Sequence, residues 1–295
     1  MINYKLLKEH GLKPKTLTKN KSSIVLETTD NKKYVLKEKN KDLENKFDYL
    51  LSRGFDYFPS YKSFDNYDIY EYIKNKNISD EEKLYDMIDL ISLLHTKTTR
   101  YKNIDIDDYK QIYEDINEKI EYLTNYYTEL NDLIDEEIYM SPSKYLLARN
   151  ISKIYNALAF CKTEIDNWYE LIKKSPKQRI SLIHNNLELD HILNSDSSYL
   201  ISWDKAKTDM PLYDFYSLYK KYYNKTDFDI LLSNYQKRYP LKEEELKLLF
   251  IKISIPKKIE FTSDEFSNTQ EIKKLLEYLY KSDKLINPFY KKQNN

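Results

Sequence analysis

Between Ser22 and Lys39 the chain reads SSIVLETTDNKKYVLKEK, and its apolar residues fall at alternate positions. Ile24 and Leu26, then Tyr34 and Leu36, share one face of two strands, as a period of two requires. The polar run TTDNKK between them predicts a turn, so the segment is expected to be a β-hairpin. In DLENKFDYLLSRGF the spacing changes. Leu43, Phe47, Leu50 and Leu51 predict a short helix with all four turned inward, and Gly54 predicts its stop. YFPSYKSFDNYDIYEYI then supplies two more strand-like runs, broken at Pro59 and at the DN of residues 65–66.

From Ser79 the period becomes helical. Ser79 with Glu82 three residues on forms a capping box ahead of the apolar run LYDMIDLISLLHTK. Two longer stripes follow at three- and four-residue steps. One runs from Ile112 through Ile116, Ile120 and Leu123 to Ile134, the other from Ile151 through Leu158, Cys161 and Trp168 to Ile172. MSPSK breaks the helix between them, which predicts an antiparallel helical hairpin whose stripes are its core seam. Residues 181–203 return to short strands, and the rest reads helical. The expected class is therefore α+β: a small β-rich lobe over residues 1–73, and a large helical lobe over 74–295 that carries the long hairpin.

Composition narrows the function. The 295 residues hold 48 Lys plus Arg against 48 Asp plus Glu, with no basic block. A chain without a net field is not expected to bind nucleic acid or a membrane surface. A single cysteine, Cys161, rules out an internal disulfide framework or a thiolate zinc site. The start, MINYKLLKEHGLKPK, lacks a signal-peptide core, and no uncharged apolar run approaches a membrane span, so a soluble cytoplasmic protein is expected. Thirty tyrosines beside two glycines supply much of the apolar bulk in amphipathic form. Oligomeric state is not set by any of this.

The chemistry concentrates in SLIHNNLELDHILNSDSSYLISWDKAKTDMPLYDFYSLYKK, residues 181–221. A β-like run leads into a His-led turn, a second run ends in an aromatic, and a helix follows. Upstream stand a strand lysine in YVLKEK and a helix glutamate in ENKFDYLLSRGF. In this order the chain resembles the aminoglycoside phosphotransferase and choline-kinase-like branch of the protein-kinase-like fold, with CotS-type spore-coat proteins nearest within it. The likeness covers most of the chain and is strongest from Leu182 to Tyr239. It implies Lys37 and Glu44 as a nucleotide-gripping ion pair, and DIYEYI as the strand leading to a hinge whose backbone near Glu71 and Ile73 meets the base. LTKNKSS, residues 17–23, stands at the phosphate loop but has no glycine for close backbone approach. The bacterial setting it implies is sporulation or the spore coat.

The family's catalytic loop, H-G-D-x-x-x-x-N, here reads HNNLELDH. His184 is kept, Asn186 replaces the aspartate and His191 the terminal asparagine. The family's metal strand, I-D-F or I-D-W, here reads ISW, with Ser202 in place of the aspartate. A neutral amide at 186 can orient a hydroxyl but not take its proton. An imidazole and a hydroxyl are poor replacements for the hard oxygens that hold magnesium. The expected protein is thus a catalytically degenerate kinase, a pseudokinase that binds ATP or another nucleotide without magnesium, or a partner protein through the helical lobe. The alternative is an active small-molecule kinase in which Asp204, Asp190 or Glu188 has taken over the metal. A third reading is a structural protein whose cleft is filled by its own side chains. His184 is expected to hold the loop rather than react, and Asp214 to cap its helix or steady the loop.

Overall fold

The computed structural model describes residues 7, 11–20, 23–64, 66–175 and 177–291. The chain forms two compact units, each built from separate stretches: residues 1–98 with 184–207, and residues 99–183 with 208–295.

The first unit is built on an antiparallel sheet. Strands β1 (Pro14–Asn20), β2 (Ser23–Thr28), β3 (Lys33–Glu38), β4 (Tyr61–Phe64) and β5 (Tyr67–Glu71) lie in the order β1-β2-β3-β5-β4. β2 and β3 pair Ile24 with Leu36 and Leu26 with Tyr34. That register puts the apolar alternation on one face, where Leu26 and Leu36 are buried with Leu7 and Ile69. Asn31 takes the left-handed conformation in the connecting turn at φ 59°, which asparagine tolerates better than most side chains.

Helix α1 (Lys41–Ser52) starts at Asn40, whose side chain accepts from the Asp42 amide, and stops before Gly54 at φ 70°. Leu43, Phe47 and Leu50 are buried along it, but Leu51 is 52 % exposed. The expected inward set is corrected at that residue: 100° per residue carries Leu51 past the edge of the stripe set by the other three. Helix α2 (Asp80–Thr98) begins at the Ser79–Glu82 box, with the Ser79 hydroxyl accepting from the Glu82 amide at 3.2 Å. The chain returns to this unit as a His-led loop, a short hairpin of β8 (Ile192–Asn194) and β9 (Ser198–Leu200), and a 3-10 turn over Trp203–Lys205. Asp86 of α2 accepts from Ser198 Oγ at 2.8 Å and so ties this hairpin to the helix.

The second unit is helical around one long hairpin. Helices α3 (Ile106–Asp135) and α4 (Pro142–Lys174) run antiparallel. Tyr113 Oη donates to Asp166 at 2.8 Å near one end, and Tyr155 Oη donates to the Tyr127 carbonyl at 3.3 Å further along. Ile116, Ile120, Leu123, Leu158, Cys161 and Trp168 are all buried in this unit. Strands β6 (Arg100–Asn103), β7 (Lys177–Ile183) and β10 (Lys207–Asp209) make a small sheet. Helices α5 (Leu212–Tyr222), α6 (Phe228–Arg238), α7 (Glu243–Ser254) and α8 (Glu265–Lys291) complete the unit. Glu164 of α4 joins α7 and α8, accepting from Lys247 Nζ and from Tyr290 Oη, each at 2.7 Å. No helix among the described residues is long and apolar enough to cross a membrane.

Candidate functional site

The alternation that hides Leu26 and Leu36 turns Ser23, Val25, Val35 and Lys37 to the other face of the sheet. These four line a pocket of about 480 Å³ that lies wholly within the first unit. A volume of this size is ordinary for a small-molecule site, roughly 300–1,000 Å³. The cleft is therefore open and not filled by the protein's own side chains. Leu193 and Ile201 also line it with apolar side chains.

The wall after β5 is made by Glu71, Tyr72, Ile73 and Asn75. It is held at both levels. Ser60 Oγ donates to the Glu71 carboxylate at 2.8 Å, and Asn75 Oδ1 accepts from the Asn194 amide at 2.8 Å. The Lys76 amide in turn donates to the Asn194 carbonyl at 2.7 Å. This strap fixes the chain leaving β5 against the β8–β9 hairpin.

Lys37, Asp190, His191, Ser202 and Asp204 are among the polar residues that line the pocket. Lys37 Nζ lies 6.0 Å from the Tyr70 ring centroid, a cation–π arrangement. Burial, with the charges of Asp68 and Asp204, pushes the Tyr70 hydroxyl well above its ordinary range, so it remains a neutral donor at working pH. Beneath lies an aromatic cluster. Trp203, buried, meets Phe55 edge-on at 5.9 Å and Phe47 and Phe58 at 6.3 Å between ring centroids. Its indole N–H donates to the Leu200 carbonyl at 2.9 Å.

The loop from His184 to His191 is built on this cluster. His184 is fully buried; its ring meets Trp203 at 4.6 Å and its Nε2–H donates to the Ile201 carbonyl at 3.0 Å. Asn185, where the family pattern has glycine, takes φ 54° and donates from Nδ2 to the Lys205 carbonyl at 3.1 Å. Asn186 Nδ2 donates to the Ser202 carbonyl at 3.1 Å, and His191 Nδ1–H donates to the Asn186 carbonyl at 2.6 Å. That bond fixes the tautomer of a neutral His191, leaving Nε2 as its free lone pair. Asn186 is thus bonded through its side chain to the backbone of residue 202 and through its carbonyl to the side chain of His191.

Several expected residues stand elsewhere. Glu44 is in the first turn of α1 and does not line the pocket; its carboxylate lies 3.9 Å from Lys39, not on Lys37. The reason is packing: α1 presents Leu43 and Phe47 to the pocket, and Glu44, the next residue round the helix, points aside. Its charge, after burial and Asp48, helps push the Tyr61 hydroxyl up to about 12. Glu188 does not line the pocket, whereas Asp190 and Asp204 do. The strand that would have put Ser202 and Asp204 on one face ends at Leu200. Ser202 is left-handed at φ 65° and Asp204 sits in the 3-10 turn. Of LTKNKSS, residues 17–20 belong to β1, Ser23 opens β2 and lines the pocket, and residues 21–22 lie outside the described residues. Asp214 lies in the first turn of α5, fully buried, but the cap position is Pro211, which makes no side-chain cap bond, so the capping expectation is corrected.

Tyr70, Asn75, Lys83 and Trp203 line the pocket and were not singled out from the sequence as site residues. Tyr70 had a usable signal, since it alternates with Asp68 on β5 and pairs with Val35 across the ladder. Asn75 had none, because its role comes from a hydrogen bond to a residue far along the chain.

Chemically, this arrangement suits a ligand with a flat apolar part between the valines and Ile201 and an anionic part at Lys37. Among the described residues no group of three or more His, Cys, Asp and Glu side chains is arranged to hold a metal. Magnesium on a nucleotide often uses only one or two protein carboxylates besides the phosphates. Asp190 and Asp204 are the residues here that would serve.

No protein-family model matches the chain, and no curated protein matches it. Solved structures do. An aminoglycoside phosphotransferase from Alicyclobacillus acidocaldarius superposes with a TM-score of 0.71 at 10% identity, covering 99% of this chain and 96% of that one. An AMP-bound spectinomycin phosphotransferase gives 0.47 at 15% identity, over 97% of this chain and 93% of that one. A Plasmodium vivax ethanolamine kinase gives 0.41 at 16% identity, over 96% and 82%. The first of these likenesses, across nearly the whole of both chains, shows that this protein has the kinase-like fold of an aminoglycoside phosphotransferase, with an antiparallel β-sheet lobe and a helical lobe.

Proposed function

We propose that this protein binds a nucleotide in the pocket of its β-rich unit and does not transfer phosphate: a pseudokinase. The observation that carries the reading is the bonding among positions 186, 191 and 202. Asn186, at the place of the family's base, has its amide committed to the Ser202 carbonyl, and His191 has Nδ1 committed to the Asn186 carbonyl. A base must be free to take the acceptor's proton, and a neutral amide has no basicity near neutrality even when free. Binding needs less. The slot between Val25, Val35 and Ile201 suits a purine, the strapped backbone at Glu71–Ile73 offers its edge, and Lys37 meets the phosphates. Magnesium is not needed for this grip.

A second reading, an active small-molecule kinase, draws on Asp190 and Asp204, which line the same pocket as Lys37. Phosphoryl transfer depends largely on positioning and charge neutralisation, so two carboxylates could hold the metal while a substrate hydroxyl reacted without a strong base. The sporulation or spore-coat setting rests on the CotS-type resemblance alone, which covers most of the chain and is strongest over residues 182–239. Binding to a partner protein through the helical lobe is the weaker form of the reading.

The test is ATP binding and ATP turnover by the full chain, with and without magnesium. ATP at about 100 times its dissociation constant should stabilise the fold by about 2.7 kcal/mol, whether or not magnesium is present. Lys37→Ala should weaken binding about tenfold or more, the scale of one charge-assisted hydrogen bond. Turnover should be absent from the wild type and from Asn186→Asp and Ser202→Asp singly, because groups that act as a unit do not recover one at a time. Magnesium-dependent turnover by the wild type that disappears in Asp204→Ala would establish the active-kinase reading instead.

A further inference from the structure

The helical unit contains a second pocket, of about 600 Å³, lined by α3, α5, the α7–α8 connection and α8. Its charge is one-sided. Six lysines, Lys119, Lys220, Lys252, Lys257, Lys258 and Lys274, line it against two carboxylates, Asp115 and Glu271. Half of these lysines are neutralised locally: Lys257 and Lys274 lie 3.1 and 2.8 Å from Glu271, and Lys258 lies 3.1 Å from Glu260. The other three, Lys119, Lys220 and Lys252, form no ion pair among the described residues. Asp115 is engaged by Gln111, whose side-chain amide donates to it at 2.6 Å.

Lys252 is half-buried, with its ammonium 5.1 Å from the Tyr213 ring and 5.9 Å from that of Tyr216. Burial depresses its pKa, Lys119 depresses it further, and Asp209 and Asp115 offset this in part. Burial and then the charge of Lys220 likewise depress Lys119. An anion entering among these cations relieves the repulsion that Lys220 exerts on Lys119 and Lys119 on Lys252. Around them Tyr122, Tyr216, Tyr223 and Tyr278, with Ile255 and Leu275, supply flat and apolar surface.

From this geometry we infer a second binding site, in the helical unit, for a small molecule that carries a phosphate on an aromatic or other ring-bearing body. Lys119, Lys220 and Lys252 hold the phosphate, and the tyrosines pack against the ring. The site is separate from the nucleotide pocket and does not depend on that reading, since every residue that lines it belongs to the other unit.

The experiment is calorimetric titration of the full chain at low salt with phenyl phosphate, inorganic phosphate and benzyl alcohol. Phenyl phosphate should bind the Lys37→Ala chain, whose first pocket has lost its lysine, one to one and more tightly than either of the others. In that chain the pair Lys119→Gln/Lys220→Gln, and separately Lys252→Met, should each weaken it about tenfold or more, the scale of charge-assisted hydrogen bonds. The inference is overturned if phenyl phosphate does not saturate that chain, or if inorganic phosphate or benzyl alcohol binds as tightly. If Lys252→Met does not fold, the surface pair decides alone: full binding by Lys119→Gln/Lys220→Gln overturns the site.

Discussion

Asn31, Asn185 and Ser202 hold left-handed backbone without being glycine, at φ 59°, 54° and 65°. Ser202 lines the pocket, and Asn185 lies in the loop that also supplies Leu189, Asp190 and His191 to it. For most side chains this conformation costs roughly 1–2 kcal/mol, and asparagine and aspartate bear it best. Asn185→Ala should therefore destabilise by about 1 kcal/mol, and Asn185→Gly by less, as read from urea midpoints. At 202 the same rule makes Ser202→Asp no worse than wild type, whereas Ser202→Val should lose about 1–2 kcal/mol. The scaffold should therefore accept an aspartate at 202. Positions 184, 186, 191 and 202 are legible in HNNLELDH and ISW because their spacing is set by short local turns. The partner of Lys37 is not legible in that way. Which residue of α1 reaches the sheet depends on how Leu43, Phe47 and Leu50 pack, and that seats Glu44 beside Lys39.

Among the elements, the α3–α4 hairpin rests on its seam. Leu158 and Ile120 are 2 % and 4 % exposed, so truncating either to alanine should cost about 2–5 kcal/mol in denaturant unfolding. The junction of α4 with α7 and α8 is polar and responds to pH. Burial alone would raise the Glu164 carboxyl, but hydrogen bonds from Lys247, Tyr290 and Asn167 outweigh it and hold it below 4.5. A carboxylate depressed on folding contributes its stability above its unfolded value and loses it as pH falls through the folded one. Glu164→Gln should cost about 1–3 kcal/mol at neutral pH, and the gap from wild type should close below the carboxylate range. Long helices and the β2–β3 hairpin are legible because their apolar periods are regular. β1, PKTLTKN, is not: it has one large apolar residue, and it is a strand because β2 offers it an edge to pair with.

For the molecule as a whole, the β-rich unit is interrupted. The chain leaves it at Thr98 and comes back at His184, and what comes back includes Trp203, the ring that Phe47, Phe55 and Phe58 close upon. On a ribosome adding roughly 5–20 residues per second, these three phenylalanines then wait about 7–30 s for that ring. Through that interval the young chain carries a sheet with an unfilled aromatic socket, a surface that chaperones hold and proteases find. Stalled nascent chains should stay protease-sensitive between residues 30 and 70 when synthesis stops at residue 183, and should gain protection once residue 207 has cleared the exit tunnel. Protection of the earlier chain would show that the sheet completes itself without Trp203. The pocket of the β-rich unit shares the delay, because His191, Ser202 and Asp204 arrive on the same returning segment, so a ligand bound there cannot steady the first hundred residues while they are being made.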